Sequence, residues 1–236
     1  MLKKIECPSC KQKNFIQNYK CMNCGIIIRD KIVNINLGDA LKYLIISPKF
    51  ILQRIFLAEH KNYSLILFLL LNIKLLIYHC HFLNVYDLDL SSIQSYFLLT
   101  VLILVFNLTF LIITQNVISI LAREKLSLKN LSSIFIYSLS FFSLSVIILF
   151  PLEWMQFGYF LFSRNPSMFE INSLKSIIIY FIESILIIYS LLLLCIGLSV
   201  FLSKIIYALM VCSTFLITQI IIFIINKKLI GVIYGI

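Results

Sequence analysis

Residues 174–201 read LKSIIIYFIESILIIYSLLLLCIGLSVF, and residues 205–225 read IIYALMVCSTFLITQIIIFII. Across both stretches only Lys175 and Glu183 carry charge. Each stretch is long enough to cross a hydrocarbon core as a helix, which takes about 20 apolar residues. Neither alternates apolar with polar residues, as the strands of a membrane barrel would. Leu202, Ser203 and Lys204 are all that separate them, so a tight helical hairpin is expected. Working outward from this hairpin, further apolar runs occupy residues 63–78, 93–121 and 131–154. The expectation is an all-α polytopic membrane protein with about five transmembrane helices. The first span is the shortest and carries Asn72 and Lys74.

Composition supports this reading. Apolar residues make up 61% of the 236 and charged residues 13%, and the mean hydropathy is +1.02. A water-soluble chain of this length has no interior large enough for so much apolar surface. Six glycines and four prolines leave room for long unbroken helices. The start, Met1-Leu2-Lys3-Lys4-Ile5-Glu6-Cys7, has no apolar core or small-residue cleavage site, so the first span is expected to act as the targeting signal.

Charge is concentrated at one end. Eleven of the 20 Lys and Arg residues precede Tyr63, against Glu6, Asp30, Asp39 and Glu59, a surplus of seven in the formal net charge of +10. A basic segment beside a span favours the cytoplasmic side and anionic lipid. Nucleic acid is not expected as a partner, because no reading helix or stacking aromatic set accompanies the charge. The short loop with Arg123, Lys125 and Lys129 is also expected inside, and the loop with Asp87 and Asp89 outside. Five spans then put the N-terminus in the cytoplasm and the C-terminus outside. Lys227 and Lys228 oppose that order.

Three zones follow: residues 1–35, 36–62 and 63–236. In the first, Cys7-Pro8-Ser9-Cys10 is followed ten residues later by Cys21-Met22-Asn23-Cys24-Gly25. Two C-x-x-C knuckles at this spacing suit a zinc ribbon, since each tight turn can present two sulfurs to one tetrahedral ion. Gly25 suits the left-handed turn that follows such a knuckle. Disulfides would need an oxidising compartment, and a thioredoxin-like site needs a strand–helix setting that this segment is too short to supply. Four protein ligands close the site, so Zn²⁺ would be structural, and its binding would drive folding of a segment with almost no core. Phe15, Ile16 and Tyr19 either pack over the metal or face a cytoplasmic protein partner. Cys195 and Cys212 lie inside spans, where cysteine behaves as a small apolar residue. Cys80 stands between His79 and His81 without a second ligand pair.

The second zone is amphipathic. Ser47 and Pro48 read as a helix cap followed by proline in the first turn. Ile51, Leu52, Ile55 and Phe56 fall on one face, with Lys49, Gln53, Arg54 and His60 around the other. This is the pattern of an interfacial helix lying on the membrane, its basic side toward lipid headgroups. The alternative is a cap packed on the spans.

The stretch Asp39-Ala40-Leu41-Lys42-Tyr43-Leu44-Ile45-Ile46-Ser47-Pro48-Lys49-Phe50 resembles the opening of the Yip family domain, in which a Ser-Pro element precedes the first of five spans. Leu121-Ala122-Arg123, the span ending at Phe150-Pro151, the run Tyr189-Ser190-Leu191-Leu192-Leu193-Leu194-Cys195-Ile196-Gly197-Leu198 and the segment from Lys204 to Ala208 are similar to later parts of that domain. The loop near Arg123 departs from it in having no glycine. The resemblance covers residues 37–225. It implies five spans, a cytoplasmic N-terminus and, as in bacterial members with an N-terminal ribbon, an inner-membrane location; it implies no catalytic residue. The joining of a four-cysteine ribbon to membrane spans also resembles the Arv family, which is implicated in lipid and sterol homeostasis. Where that family has Lys-Pro followed by Tyr-Arg-His, this chain has Ser47-Pro48-Lys49-Phe50 and then Gln53-Arg54.

Glu183 is the residue singled out within the spans, because a carboxylate in hydrocarbon must be protonated, paired or wetted. Lys74 is its expected partner. At 1.5 Å per residue, antiparallel first and fourth spans put the two at depths about 6 Å apart, within reach of two long side chains. The pair serves either as a structural clamp or as a proton- or substrate-linked site. Asn107, Gln115 and Asn116 are expected to join helices by hydrogen bonds. No H-E-x-x-H, G-x-S-x-G or phosphate-loop motif occurs, so no enzyme is expected. A membrane adaptor or scaffold with a ribbon for a cytoplasmic partner ranks first. A lipid-handling protein or transporter using the polar pair ranks second, and an enzyme without a recognisable motif third.

Overall fold

The computed structural model describes residues 4–15, 18–85, 93–122, 127–162, 166–202 and 205–234. Ile16, Asp87, Asp89, Arg123, Lys125, Ser203, Lys204 and the side chains of His81, Lys227 and Lys228 lie outside the described part.

The chain begins with strands β1 (Lys4–Glu6) and β2 (Lys13–Phe15), an antiparallel pair in which Ile5 faces Asn14. Helices α1 (Leu37–Ile46) and α2 (Pro48–Leu57) follow, then α3 (Ser64–Val85) and α4 (Ile93–Ala122). Helices α5 (Leu128–Ser138) and α6 (Ser140–Phe157) come next, with a 3₁₀ turn at Gly158–Phe162. A short α7 (Met168–Ile171) leads to α8 (Ser173–Phe201) and α9 (Ile205–Tyr234).

Four of these segments are long and apolar enough to cross a membrane: Tyr96–Ile120, Ser140–Phe162, Ser173–Val200 and Ile205–Ile225. The apolar Ser64–Cys80 stretch is shorter. The chain is thus mostly helical and multi-pass by length and composition. Its side-chain distribution is that of a protein dissolved in lipid. On α4, Phe97, Val101, Val105, Leu108 and Ile112 are exposed at helical spacing, while Asn107 of the same helix is fully buried. Polar groups turned inward and apolar groups turned outward is the arrangement hydrocarbon demands.

The third apolar run differs from its expected form. Instead of one helix over residues 131–154, the chain breaks at Leu139 (φ −89°, ψ 8°), and the membrane-length segment starts at Ser140 and runs to Phe162. Hydroxyls crowd this region. Ser133, Ser143 and Ser145 bond to carbonyls three residues back, and such bonds compete with regular helix. Pro151 lies inside α6 and removes a further backbone bond.

The residues group into two compact units, one of Met1–Leu65, Leu111–Leu139 and Leu191–Cys212, the other of Ile66–Phe110, Ser140–Ser190 and Ser213–Ile236. In the first unit, Asn36 caps α1 by accepting from the Gly38 N–H at 2.9 Å. Ser47 makes no side-chain cap on α2, contrary to its sequence reading; its backbone N–H instead closes α1 on the Tyr43 carbonyl at 2.8 Å. The apolar face of α2 (Ile51, Leu52, Ile55, Phe56) is buried, and α2 packs on α5. That face is therefore covered by protein rather than turned to lipid, while Lys49, Phe50, Gln53 and Arg54 are exposed. Pro48 occupies the first turn of α2. Gly197 of α8 permits this packing: a β-carbon there would fall 2.8 Å from Ile134 Cγ2, 3.0 Å from Ser138 Oγ and 3.4 Å from Leu52 Cδ1.

Candidate metal centre and buried charge cluster

The two cysteine knuckles are built alike. In the first, Lys11 N donates to Cys7 O and Cys7 N to Gln12 O, both at 3.0 Å. In the second, Gly25 N donates to Cys21 O at 3.0 Å and Cys21 N to Ile26 O at 2.8 Å. Each closes on a left-handed residue, Lys11 at φ 56° and Gly25 at φ 72°. Gly25 adopts this at little cost, whereas a side chain such as that of Lys11 is disfavoured there.

The turns bring all four sulfurs within 4.8 Å of one another, with Cys7 to Cys24 and Cys10 to Cys21 each at 3.5 Å. Metal–sulfur bonds of 2.3 Å in a tetrahedron would put the sulfurs about 3.8 Å apart, so the set fits a four-thiolate cation site. The thiols differ among themselves. Cys7 is held below its ordinary value, chiefly by the Cys10 N–H. The Cys24 N–H, with help from Asn23 and Asn14, brings Cys21 down to about 6. The Ile26 N–H acts to lower Cys24, but burial and the other three sulfurs outweigh it and push that thiol up to about 12. Four thiolates this close repel one another, and a cation at their centre removes that obstacle.

Asn14 joins the knuckles and gave no signal in the sequence. It is 3% exposed; its Nδ2 donates to Gln12 O at 2.8 Å and to Cys21 Sγ at 3.4 Å, and its Oδ1 accepts from Met22 N at 3.0 Å. A group that orients a ligand and donates to its sulfur stabilises the thiolate form. The segment after the knuckles is tied to the chain beyond α2. Glu59 N donates to Ile32 O and His60 N to Val33 O, both at 2.9 Å, and Lys31 pairs with Glu59 at 2.8 Å. Lys61 Nζ donates to the Ile55 and Phe56 carbonyls at the end of α2. Burial, then repulsion from Lys129 and Arg29, pushes the Lys61 ammonium down to about 7.

Of the aromatic and apolar residues between the knuckles, Phe15 is half-buried and Tyr19 is exposed between Lys20 and Lys31. Around the second knuckle Met22, Ile26 and Ile27 are exposed, at 80%, 44% and 63%.

The second unit holds a buried charge cluster. Lys74 Nζ and Glu183 Oε1 form an ion pair, with Lys74 fully buried and Glu183 2% exposed. The sequence reading missed a third member, Glu153 of α6, which is 1% exposed and interacts with both. Asn107 also meets Asn72 and Gln219: Asn107 Nδ2 donates to Asn72 Oδ1 at 3.0 Å, and Gln219 Nε2 donates to Asn107 Oδ1 at 3.1 Å. A His79 ring nitrogen lies 3.4 Å from Gln219 Oε1. Asn116 is exposed, and among the described residues it joins no such network. Cys80 is buried, and among the described residues it belongs to no metal-ligand cluster. The Cys195 and Cys212 sulfurs approach to 2.9 Å in the first unit. Comparison with known proteins supplies no relative: no protein-family model, no curated protein and no solved structure matches the chain.

Proposed function

We propose that this chain is a non-enzymatic membrane adaptor whose zinc-bound ribbon presents a docking surface to a cytoplasmic protein. One observation carries the reading. The four cysteine sulfurs lie within 4.8 Å of one another, a set that a single cation would close, while Met22, Ile26 and Ile27 are exposed around the second knuckle. Four thiolates at this spacing favour Zn²⁺ over harder cations. Lys11, Lys20 and Lys31 are exposed on the same segment and favour a partner with acidic groups around an apolar contact.

The membrane part of the proposal has five spans. The 22 residues of α3 extend about 33 Å as a helix, enough for a core of about 30 Å, so α3 joins the four longer segments. The basic N-terminal quarter argues for a cytoplasmic ribbon. The resemblance to the Yip family belongs to this reading, and in a bacterium the location would be the inner membrane.

Cross-linking followed by affinity capture of the full-length protein tests it. The samples are wild type, Met22→Ser/Ile27→Ser and Cys7→Ser/Cys10→Ser, all checked for equal insertion. A protein captured by wild type and lost from both variants supports the adaptor. An unchanged set of captured proteins opposes it.

A second reading, a lipid-handling protein or transporter, is favoured by the buried Lys74–Glu183 pair. It requires Glu183→Gln to abolish function while ribbon variants leave it intact, the reverse of the adaptor's pattern.

A further inference from the structure

Lys74, Glu183 and Glu153 contribute one positive and two negative formal charges, and none is more than 2% exposed. Lys74 is taken up by Glu183. Glu153 lies beside the Glu183 carboxylate, and among the described residues its oxygens meet no hydrogen-bond donor. Phe150 and Phe157 lie three residues before and four after Glu153, on the same face of α6. Phe157 belongs to an apolar cluster with Leu161 and Met168, against which Phe150 and Tyr180 pack. A second carboxylate ionised in such surroundings would be an uncompensated charge.

We propose that Glu153 is a proton-binding site within the membrane domain: it holds one exchangeable proton beside the Lys74–Glu183 pair. The carboxyl O–H forms when Glu153 takes up a proton and breaks when it releases one, leaving a carboxylate; nothing is oxidised or reduced. The ion pair sets the occupancy. While Glu183 neutralises Lys74, the described residues offer Glu153 no cation of its own, and keeping its proton avoids a second buried charge. Among the described residues, the titratable groups that face the cluster are Lys74 and Tyr78 on α3 and Tyr180 and Glu183 on α8. Tyr78 and Tyr180 can donate hydrogen bonds but supply no cation. The proposal stands on the geometry of this unit and is independent of what the ribbon does.

Infrared difference spectroscopy of the full-length protein in lipid nanodiscs, in H₂O and D₂O, tests it. Wild type at neutral pH should show one buried protonated carboxylic acid whose carbonyl band shifts in D₂O. Glu153→Gln should abolish the band. Glu183→Gln should abolish it too, because Glu153 then ionises to pair with Lys74. Glu153→Asp, which retains a carboxyl if the glutamine variant does not fold, should keep a band at a shifted position. A wild-type protein with no protonated acid would overturn the proposal and point to a bound cation neutralising Glu153. A band that survives Glu153→Gln, or that Glu183→Gln leaves unchanged, would overturn it as well.

Discussion

Replacing Gly197 by alanine tests how α2, α5 and α8 are held together. The added carbon would meet Ile134 Cγ2 at 2.8 Å, against an optimum of about 3.5–4.0 Å for carbon–carbon contacts, and Ser138 Oγ at 3.0 Å. Ile134, Ser138 and Leu52 are all fully buried, and Ser138 Oγ donates to Leu193 O at 3.3 Å, so none has open space to move into. Overpacking of this kind costs about 1–3 kcal/mol. Alanine regains about 1 kcal/mol of helix propensity over glycine. With two close contacts from immobile neighbours the steric cost falls in the upper half of that range, about 2–3 kcal/mol, and a net loss of roughly 1–2 kcal/mol is expected. The assay is unfolding of the purified protein in detergent micelles, read in a double-mutant cycle with Ile134→Ala, which removes the closest atom. On that background Gly197→Ala should be neutral or stabilising, a coupling of about 1–3 kcal/mol. A Gly197→Ala protein as stable as wild type, or the same effect on both backgrounds, would refute the close approach.

Further predictions concern the ribbon and its attachment. Lys11→Gly should raise the stability of the metal-bound ribbon by about 1 kcal/mol, because Lys11 sits at φ 56°; chelator competition would measure it, and no gain would mean the turn is unstrained. Asn14→Asp replaces the amide that donates to Cys21 Sγ with an acceptor and adds negative charge beside thiolates. Metal affinity should fall about 10–100-fold, measured by the same competition. Lys61 titrates near 7 when folded, against about 10.4 unfolded. Between these values the unfolded chain binds more protons, so stability should rise with pH across that window. The rise should vanish in Lys61→Met, and denaturant unfolding at a series of pH values would reveal it.

Four membrane-length helices could be read from the sequence, because the length of an apolar run directly records the thickness of hydrocarbon it can cross; the run at residues 63–78, expected as a fifth span, falls short of that length. The break at Leu139 could not, since apolar residues continue on both sides of it. Lys74 and Glu183 were legible as charges with nowhere to go in lipid. Glu153 was not: it follows Pro151 at the end of an apolar run, where an acid ordinarily emerges into water, but α6 continues to Phe157 and keeps it buried. The amphipathic face of α2 was legible, but periodicity does not distinguish lipid from protein as its cover; the space above Gly197 decides that. Spacing alone identified the four cysteines. Asn14 left no trace because its role arises from a strand pairing that folds it between the knuckles, and the left-handed turn at Lys11 could be inferred only by aligning it with Gly25.

The most direct test of the ribbon as a metal centre is the metal content of the purified full-length protein, determined beside the Cys7→Ser/Cys10→Ser variant. The account predicts one equivalent of zinc per chain in wild type and none in the variant. A wild-type chain that carries no metal, with its four cysteines as free thiols or disulfides, would contradict it.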